Sequence, residues 1–497
     1  MYRNDAVFVG GAWSRSTGET SLEVISPHTE QAIARVAAAT EPDIDAAVLA
    51  AREAITVGPW ARTSPAERIT AVRSLATSYE SRQPDIARAI TESIGAPAAF
   101  ARRAQVGLPL MMMRAFCDVA QHVPWREERI GLYGKTIHLR REPVGVVAAV
   151  VAWNMPQFLI ITKLVPALLA GCSVVVKPAQ EAPLDALLLA EAIADSDLPP
   201  GVVSVLNGDA SVGRHLVAHP GVDKVSFTGS TAAGKAVAAA CAPNLTRVGL
   251  ELGGKSAAIV LADADPENVA SGIRTASLSN SGQICNALTR ILVPAARQHE
   301  YIDALAAEMA GLTIGDPALD ETQVGPLVTR RQQRRVREYI DSAHAEGARA
   351  VLGGSDMPPG IDRGWYVRPT LFAEVHNSMR IAREEIFGPV LSVIAYRDTD
   401  EAIDIANDSD YGLAGSVWTG DIDQGLAVAD RVRTGTFGVN EGYTMDPLAP
   451  FGGVKASGYG RELGREGIEG YLDTKSVSVD TPPIRQPIPH NRTHHHQ

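Results

Sequence analysis

The sequence predicts an α/β protein of two units, each built on a mainly parallel sheet. Three observations carry this. From residue 144 onward, short β-branched runs alternate with stretches of helical period, as in strand–helix–strand repeats. At 497 residues the chain is too long for one simple core. The glycine pair Gly253-Gly254 falls between two series of repeats and leaves the backbone free to turn, so the join is placed there.

In order, 144–151 is expected as a strand, 158–170 as a helix, 173–177 as a strand and 184–194 as a helix. A strand at 202–206 and a short helix at 212–218 follow, then a strand at 224–227 and a helix at 231–240. Beyond the join, 257–261 reads as a strand and 266–279 as a helix, and like units recur to Tyr471, including a strand at 390–395. The segment 127–141 alternates polar and apolar residues and reads as an exposed ribbon, with 475–480 as its partner strand. Either these form a local hairpin or they form an arm that pairs across subunits. Residues 483–497, rich in Pro and His, are expected to be a disordered tail.

Composition narrows the function. Hydrophobic residues make up 45% and charged residues 21%, an ordinary globular balance. A net charge of -11 repels phosphate backbones and anionic lipid, which disfavours nucleic-acid and membrane partners. The apolar stretch 144–176 is interrupted by Asn154, Pro156, Lys163 and Pro166, so it does not read as a membrane span. The N-terminus lacks the basic and apolar regions of a signal peptide. Four cysteines without a CxxC pair or a histidine cluster argue against a disulfide framework or a metal site and fit a reducing cytoplasm.

Four strings carry chemistry. Phe227-Thr228-Gly229-Ser230, at a strand-to-helix turn, offers free helix N–H groups to an anion. It nearly matches a nucleotide phosphate loop through Lys235, but Ala236 lacks the hydroxyl that would hold Mg²⁺. Ser281-Gly282-Gln283-Ile284-Cys285-Asn286 contains a candidate nucleophile, although a lone cysteine is more often a buried structural thiol. Glu251, ahead of the glycine pair, is a candidate general base or else a surface carboxylate at a joint. Asn154, after the strand at 144–151, is placed to donate to an oxyanion or merely to cap a helix.

Together these strings resemble the aldehyde dehydrogenase superfamily over roughly residues 6–480. The resemblance extends to Lys177-Pro178, Glu384-Glu385-Ile386-Phe387-Gly388-Pro389, Pro450-Phe451-Gly452-Gly453 and Ser457-Gly458-Tyr459-Gly460-Arg461-Glu462. It implies a Rossmann-like dinucleotide-binding domain at 1–123 and 144–253, a catalytic domain at 254–470 and an oligomerisation arm at 124–143 and 471–482, hence a homodimer or homotetramer. By resemblance, Cys285 attacks an aldehyde, Asn154 and the Cys285 N–H hold the oxyanion, and Glu251 activates the water that releases a carboxylic acid. Lys163 and Glu462 match positions of a proton relay, with an ordinary salt bridge as the alternative. Relatives that transfer the acyl group to coenzyme A typically lack a base at the Glu251 position, so hydrolysis is favoured. A coenzyme A-acylating enzyme and a catalytically silent protein of the same fold remain as alternatives.

For the cofactor, the resemblance points to Val151, Trp153, Lys177, Gln180, Gly229, Ser230, Glu385 and Phe387. Gln180 departs from the glutamate common in NAD-preferring members. NAD is expected, and neutral Gln180 leaves NADP possible. Met155, Leu159, Thr162, Ile284 and Asn286 are expected to line the substrate tunnel, an apolar lining suited to a sizeable or branched aldehyde.

Overall fold

The computed structural model describes residues 2–479. The expected tail and the last residues of the expected arm and its partner strand, 480–482, lie outside the described residues.

The first unit is an eight-stranded sheet. Its parallel core runs in the order Arg247–Glu251, Lys224–Thr228, Val146–Val150, Ser173–Lys177, Val203–Val205. The central strands are β-branched and buried on both faces, as a sheet covered by helices requires. The helix Pro156–Ala170 is buried along its whole length, which explains its mainly apolar sequence; Gln157, Thr162 and Lys163 are the polar side chains it encloses. Proline starts it and Gly171, at φ 97°, ends it in the left-handed conformation glycine tolerates best.

Strand order reverses between Val146–Val150 and Lys224–Thr228. At such a point the two connections leave in opposite directions and open a crevice at the carboxyl ends of the strands. Register aligns those ends: Val150 stands opposite Lys177, and Thr228 opposite Glu251. Three of the expected functional segments therefore leave the sheet at one level.

The second unit is a seven-stranded sheet in which Ser256–Val260 lies between Leu288–Pro294, the middle strand, and Ala414–Trp418, parallel to both. Ser256–Val260 leaves directly from the glycine pair, and Leu288–Pro294 begins three residues after Cys285. Arg290, buried at 2% exposure, ties the two together. Its guanidinium donates to the carbonyls of Lys255, Ile405 and Ala406 and to the side chain of Asn377, at 2.9–3.0 Å.

The ribbon forms a three-stranded antiparallel sheet, with Thr136–Pro143 between Arg126–Ile130 and Leu472–Val479. Its tip is apolar and open to solvent, with Leu132 95% and Tyr133 90% exposed. Among the described residues no helix is long and apolar enough to cross a membrane.

One boundary differs from expectation. The end of the span assigned to the second unit returns to the first: Gly458–Tyr459 adds an antiparallel edge strand beside Arg247–Glu251. Phe451, Leu463 and Ile468 join the first unit's core. Strand pairing across two hundred residues leaves no local mark in a sequence, so the return is invisible there.

Arg290→Met would leave three buried carbonyls without their donor. We expect a loss of about 3 kcal/mol in urea unfolding, since each orphaned buried group costs roughly 1–3 kcal/mol and the loop relaxes in part. An unchanged midpoint would show that Arg290 does not fasten this joint.

Candidate active site

Four cysteines are present as free thiols, and Cys285 alone is partly exposed. It ends a loop in which Asn280, Ser281 and Gly282 all take left-handed backbone conformations, at φ 52°, 58° and 74°. Such a run is costly for non-glycine residues and persists only where the surroundings fix it. Here the Ser281 hydroxyl donates to the Gly325 carbonyl at 2.9 Å, and the Gln283 side chain accepts from the Val328 N–H at 3.1 Å.

The thiol is held neutral. Burial, then the Glu385 and Glu251 carboxylates, push its pKa up to about 12, against backbone N–H groups of Asn286 and Cys285 that favour the thiolate. A base or a nearby positive charge is needed to make it nucleophilic.

Glu251 is 6% exposed, and neither carboxylate oxygen has a hydrogen-bond partner within the protein. Burial and the Glu462 carboxylate raise its pKa well above the ordinary range, while Lys163 and Arg461 oppose the shift. An unpaired, water-poor carboxyl group of this kind is a stronger base than a solvated one. Lys163 lies beneath it with no exposed surface, donating to the Thr228 hydroxyl at 2.6 Å and to Glu462.

Thr162, expected in the tunnel wall, is 1% exposed, and its hydroxyl donates to Glu462 at 3.0 Å. Leu159, also expected there, is a buried core residue. Both point inward because the helix Pro156–Ala170 is enclosed on every side, so helical position gives no outer face to read.

Asn154 is 4% exposed. Its side-chain amide donates one hydrogen to the Gln283 carbonyl at 3.0 Å, leaving the second free. Its own carbonyl accepts from the side chains of Gln105 and Asn280, each at 2.9 Å. The sequence singled out neither residue. Gln105 lies in a segment without a recognisable motif; Asn280, ahead of Ser-Gly, carried a turn signal that went unread.

A cleft of about 1100 Å³ opens beside these groups. Met155, Ile284 and Asn286 line it as expected residues, joined by Phe100, Met111 and Tyr443.

On the crevice side, the rings of Trp153 and Phe387 meet edge to face at 5.4 Å. Glu385 accepts from the Gly254 N–H at 3.0 Å, and burial pushes its pKa up to about 7. The glycine pair has a different purpose from the one expected. Neither residue is left-handed; a Cβ on Gly253 would stand 2.3 Å from Glu385, and one on Gly254 would stand 2.6 Å from the Cys285 carbonyl.

Ser230 caps the helix Thr231–Cys241, while Gly229 packs against the Phe227 ring. Lys177 is buried at the end of its strand, where burial lowers its pKa to about 8 against the pull of Glu181 and Asp209. Gln180 is exposed and donates to Glu181 at 3.3 Å. Val151 is buried, its N–H on the Lys177 carbonyl at 3.2 Å.

A sheet with a crevice at its switch point, joined to a partly exposed thiol and a buried unpaired carboxyl group, defines a nucleotide-linked oxidoreductase that works through a cysteine. The chain belongs to the aldehyde dehydrogenase family, whose model matches residues 13–477. It is 46% identical over 471 residues to geranial dehydrogenase of Castellaniella defragrans, covering 95% of this chain and 98% of that protein. A crystal structure of an aldehyde dehydrogenase of Mycobacterium tuberculosis with NAD+ is 42% identical, with a TM-score of 0.94 over 98% of this chain and 100% of that one. Aldehyde dehydrogenase C of Pseudomonas syringae, as a variant with NAD+ and octanal, is 41% identical, with a TM-score of 0.92 over 95% and 96% of the two chains.

Removing the Lys163 cation withdraws the charge that favours ionised Glu251. For Lys163→Met the Glu251 pKa therefore rises, the acid limb of the kcat–pH profile moves to higher pH, and kcat at neutral pH falls at least about tenfold. An unshifted limb would detach Lys163 from the base.

Proposed function

We propose that this protein oxidises an apolar aldehyde to the carboxylic acid with NAD+, hydrolysing the acyl-enzyme itself. The carrying observation is Glu251, buried and unpaired at the level of the strand ends, where its charge is felt by Cys285.

Cys285 Sγ adds to the aldehyde carbonyl and gives a thiohemiacetal, its proton passing to a base. The free amide hydrogen of Asn154 and the Cys285 N–H meet the developing oxyanion. A bound NAD+ would supply the hydride acceptor, and loss of that hydride leaves a thioester on Cys285. Glu251 then takes a proton from water as the water oxygen attacks the thioester carbon, and the acid leaves with Cys285 restored. Thr162 and Lys163 both donate to Glu462, and a water joining the unpaired Glu251 carboxyl to this group would let that proton move on.

Several features suit a dinucleotide. The helix capped by Ser230 presents free N–H groups to a pyrophosphate. Lys177 would meet the adenosine ribose, and Trp153, Glu385 and Phe387 the nicotinamide end. Gln180 alone would admit NADP. Glu181 and Asp209, however, lie close enough to Lys177 to raise its pKa, and both would repel a 2′-phosphate at that ribose. This repulsion supports NAD as the cofactor.

The cleft lining joins Phe100, Met111, Met155 and Tyr443 with the acids Asp263, Asp265 and Glu441 and the cation Arg103; the apolar part favours a sizeable or branched aldehyde and the three acids disfavour a dicarboxylic semialdehyde. The similarity to a geranial dehydrogenase and to an enzyme held with octanal supports that class. Residues 1–123 and 144–253 form the dinucleotide-binding domain and 254–470 the catalytic domain, less its returning end. The arm at 124–143 and 471–482, with its exposed apolar tip, joins subunits into a homodimer or homotetramer. Free thiols suit a cytoplasmic location.

The test supplies an apolar aldehyde and NAD+ without coenzyme A. Steady production of NADH and acid is expected; turnover only on adding coenzyme A would overturn the hydrolytic reading. Cys285→Ala loses oxidation and keeps cofactor binding, and by calorimetry this variant binds NAD+ at least about tenfold more tightly than NADP+. Equal affinities would remove the role given to Glu181 and Asp209. Glu251→Gln slows deacylation by roughly 10²–10⁴-fold and accumulates a thioester visible by intact mass, whereas a wild-type steady rate would deny it the role of base.

A further inference from the structure

We propose that Gln105 is a positioning residue for the oxyanion donor, linking Asn154 to the wall of the substrate cleft. The proposal rests on the reading of Asn154 given above.

Gln105 lies in the π-helical segment Ala101–Gly107, a rare wide turn that occurs mostly at functional sites. Two faces of this segment do different things. Arg103 and Ala104, with Phe100 just before them, line the cleft. Gln105 points the other way and has no exposed surface. Its Nε2 donates to the Asn154 carbonyl at 2.9 Å. Its Oε1 is buried with no hydrogen-bond partner within the protein, so the amide is held by its donor end. Burying an unpartnered acceptor is costly, and a leucine of similar size would avoid the penalty. The donor is what the site gains in return.

That donor completes a clamp. Asn280 Nδ2 donates to the same Asn154 carbonyl at 2.9 Å, so both lone pairs of that oxygen are engaged. The two donors come from opposite sides of the site, one from the cleft wall and one from the cysteine loop. They fix the peptide plane that follows Asn154. The Asn154 side chain is tied in turn to the Gln283 carbonyl at 3.0 Å, and the Gln283 amide donates to the Asn280 carbonyl at 3.2 Å. In this ring of amides the remaining Asn154 hydrogen has one direction. An oxyanion donor works only when it is aimed before the charge develops, because reorganisation at the moment of reaction cancels its gain. Without Gln105, Asn154 keeps its contact to the cysteine loop and loses its reference to the wall against which substrate lies.

The test compares two reactions of Cys285 in the full-length protein without cofactor. Acylation by p-nitrophenyl acetate forms a carbon–sulfur bond, passes through an oxyanion and expels p-nitrophenolate. Alkylation by iodoacetamide forms a carbon–sulfur bond with loss of iodide and develops no oxyanion. Gln105→Met keeps the volume and removes the donor. We expect acylation to slow at least about tenfold while alkylation stays within about twofold. Gln105→Glu, protonated in this buried position as pH falls, regains an O–H donor, so its ratio of acylation to alkylation recovers at lower pH. Unchanged rates in Gln105→Met, or equal loss in both reactions, would overturn the proposal, as would a ratio in Gln105→Glu that does not move with pH. Asn154→Ala serves as the reference. If it acylates at the wild-type rate, the oxyanion reading itself fails; if it is slow while Gln105→Met is normal, only the role of Gln105 fails.

Discussion

Lys163 sits without exposed surface between the end of one strand and the segment that returns to the first sheet, and its ammonium governs the charge of the whole site. Two carboxyl groups, Glu251 and Glu462, are buried close together, and the Glu462 carboxylate raises the cost of ionising Glu251. The Lys163 ammonium, with a smaller contribution from Arg461, favours the ionised form of Glu251 that burial and Glu462 disfavour. Lys163 is bonded to Glu462 directly, and Glu251 stays unpaired within reach of that ion pair's charges. This suits a base that must accept a proton and release it again. It also explains why Phe451–Glu462 has to return to the first unit: Glu462 has no other route to Lys163.

The cysteine loop meets a related constraint through the backbone. Three successive left-handed residues carry the chain from the helix Pro266–Leu278 to Cys285, and a relaxed loop would not hold this shape. Gly282 is packed so tightly that a Cβ would stand 2.3 Å from the Gly388 carbonyl. The strain is carried by hydrogen bonds to two distant segments: Asn280 and Ser281 donate to the Asn154 and Gly325 carbonyls, and Gln283 accepts from the Val328 N–H. The nucleophile is thus fixed by its connections, and its own side chain remains available for chemistry.

Motifs that are short and local were legible in the sequence. The alternation from residue 144 located most elements of the first sheet to within a residue or two, because buried parallel strands and enclosed helices differ sharply in composition. Glu251 and Asn154 stood out because one ends a strand and the other follows one, and Cys285 because it is a nucleophile in a string that resembles the family's. What could not be read depended on which way a side chain faces. Thr162 and Leu159 lie on a helix buried on every side, so periodicity does not distinguish cleft from core. Gln105 depends on a π-turn, which leaves no mark in spacing. The return of Gly458–Tyr459 to the first sheet is a long-range pairing, set by Glu251 two hundred residues earlier.

Gly253-Gly254 shows how a correct position can be assigned the wrong physics. A flexible hinge would need glycine for its backbone freedom, yet both residues adopt conformations open to any amino acid. Glycine is required because the Glu385 carboxylate and the Cys285 carbonyl approach from two sides to distances no Cβ would allow. The Gly254 N–H then holds Glu385 at 3.0 Å. One pair of residues thereby sets the spacing between the group placed for the nicotinamide end and the loop that bears the nucleophile. Any side chain there would push the two apart. Hydride transfer demands close approach of donor and acceptor carbons, so the rigidity of this contact, more than freedom of the joint, is what the reaction needs.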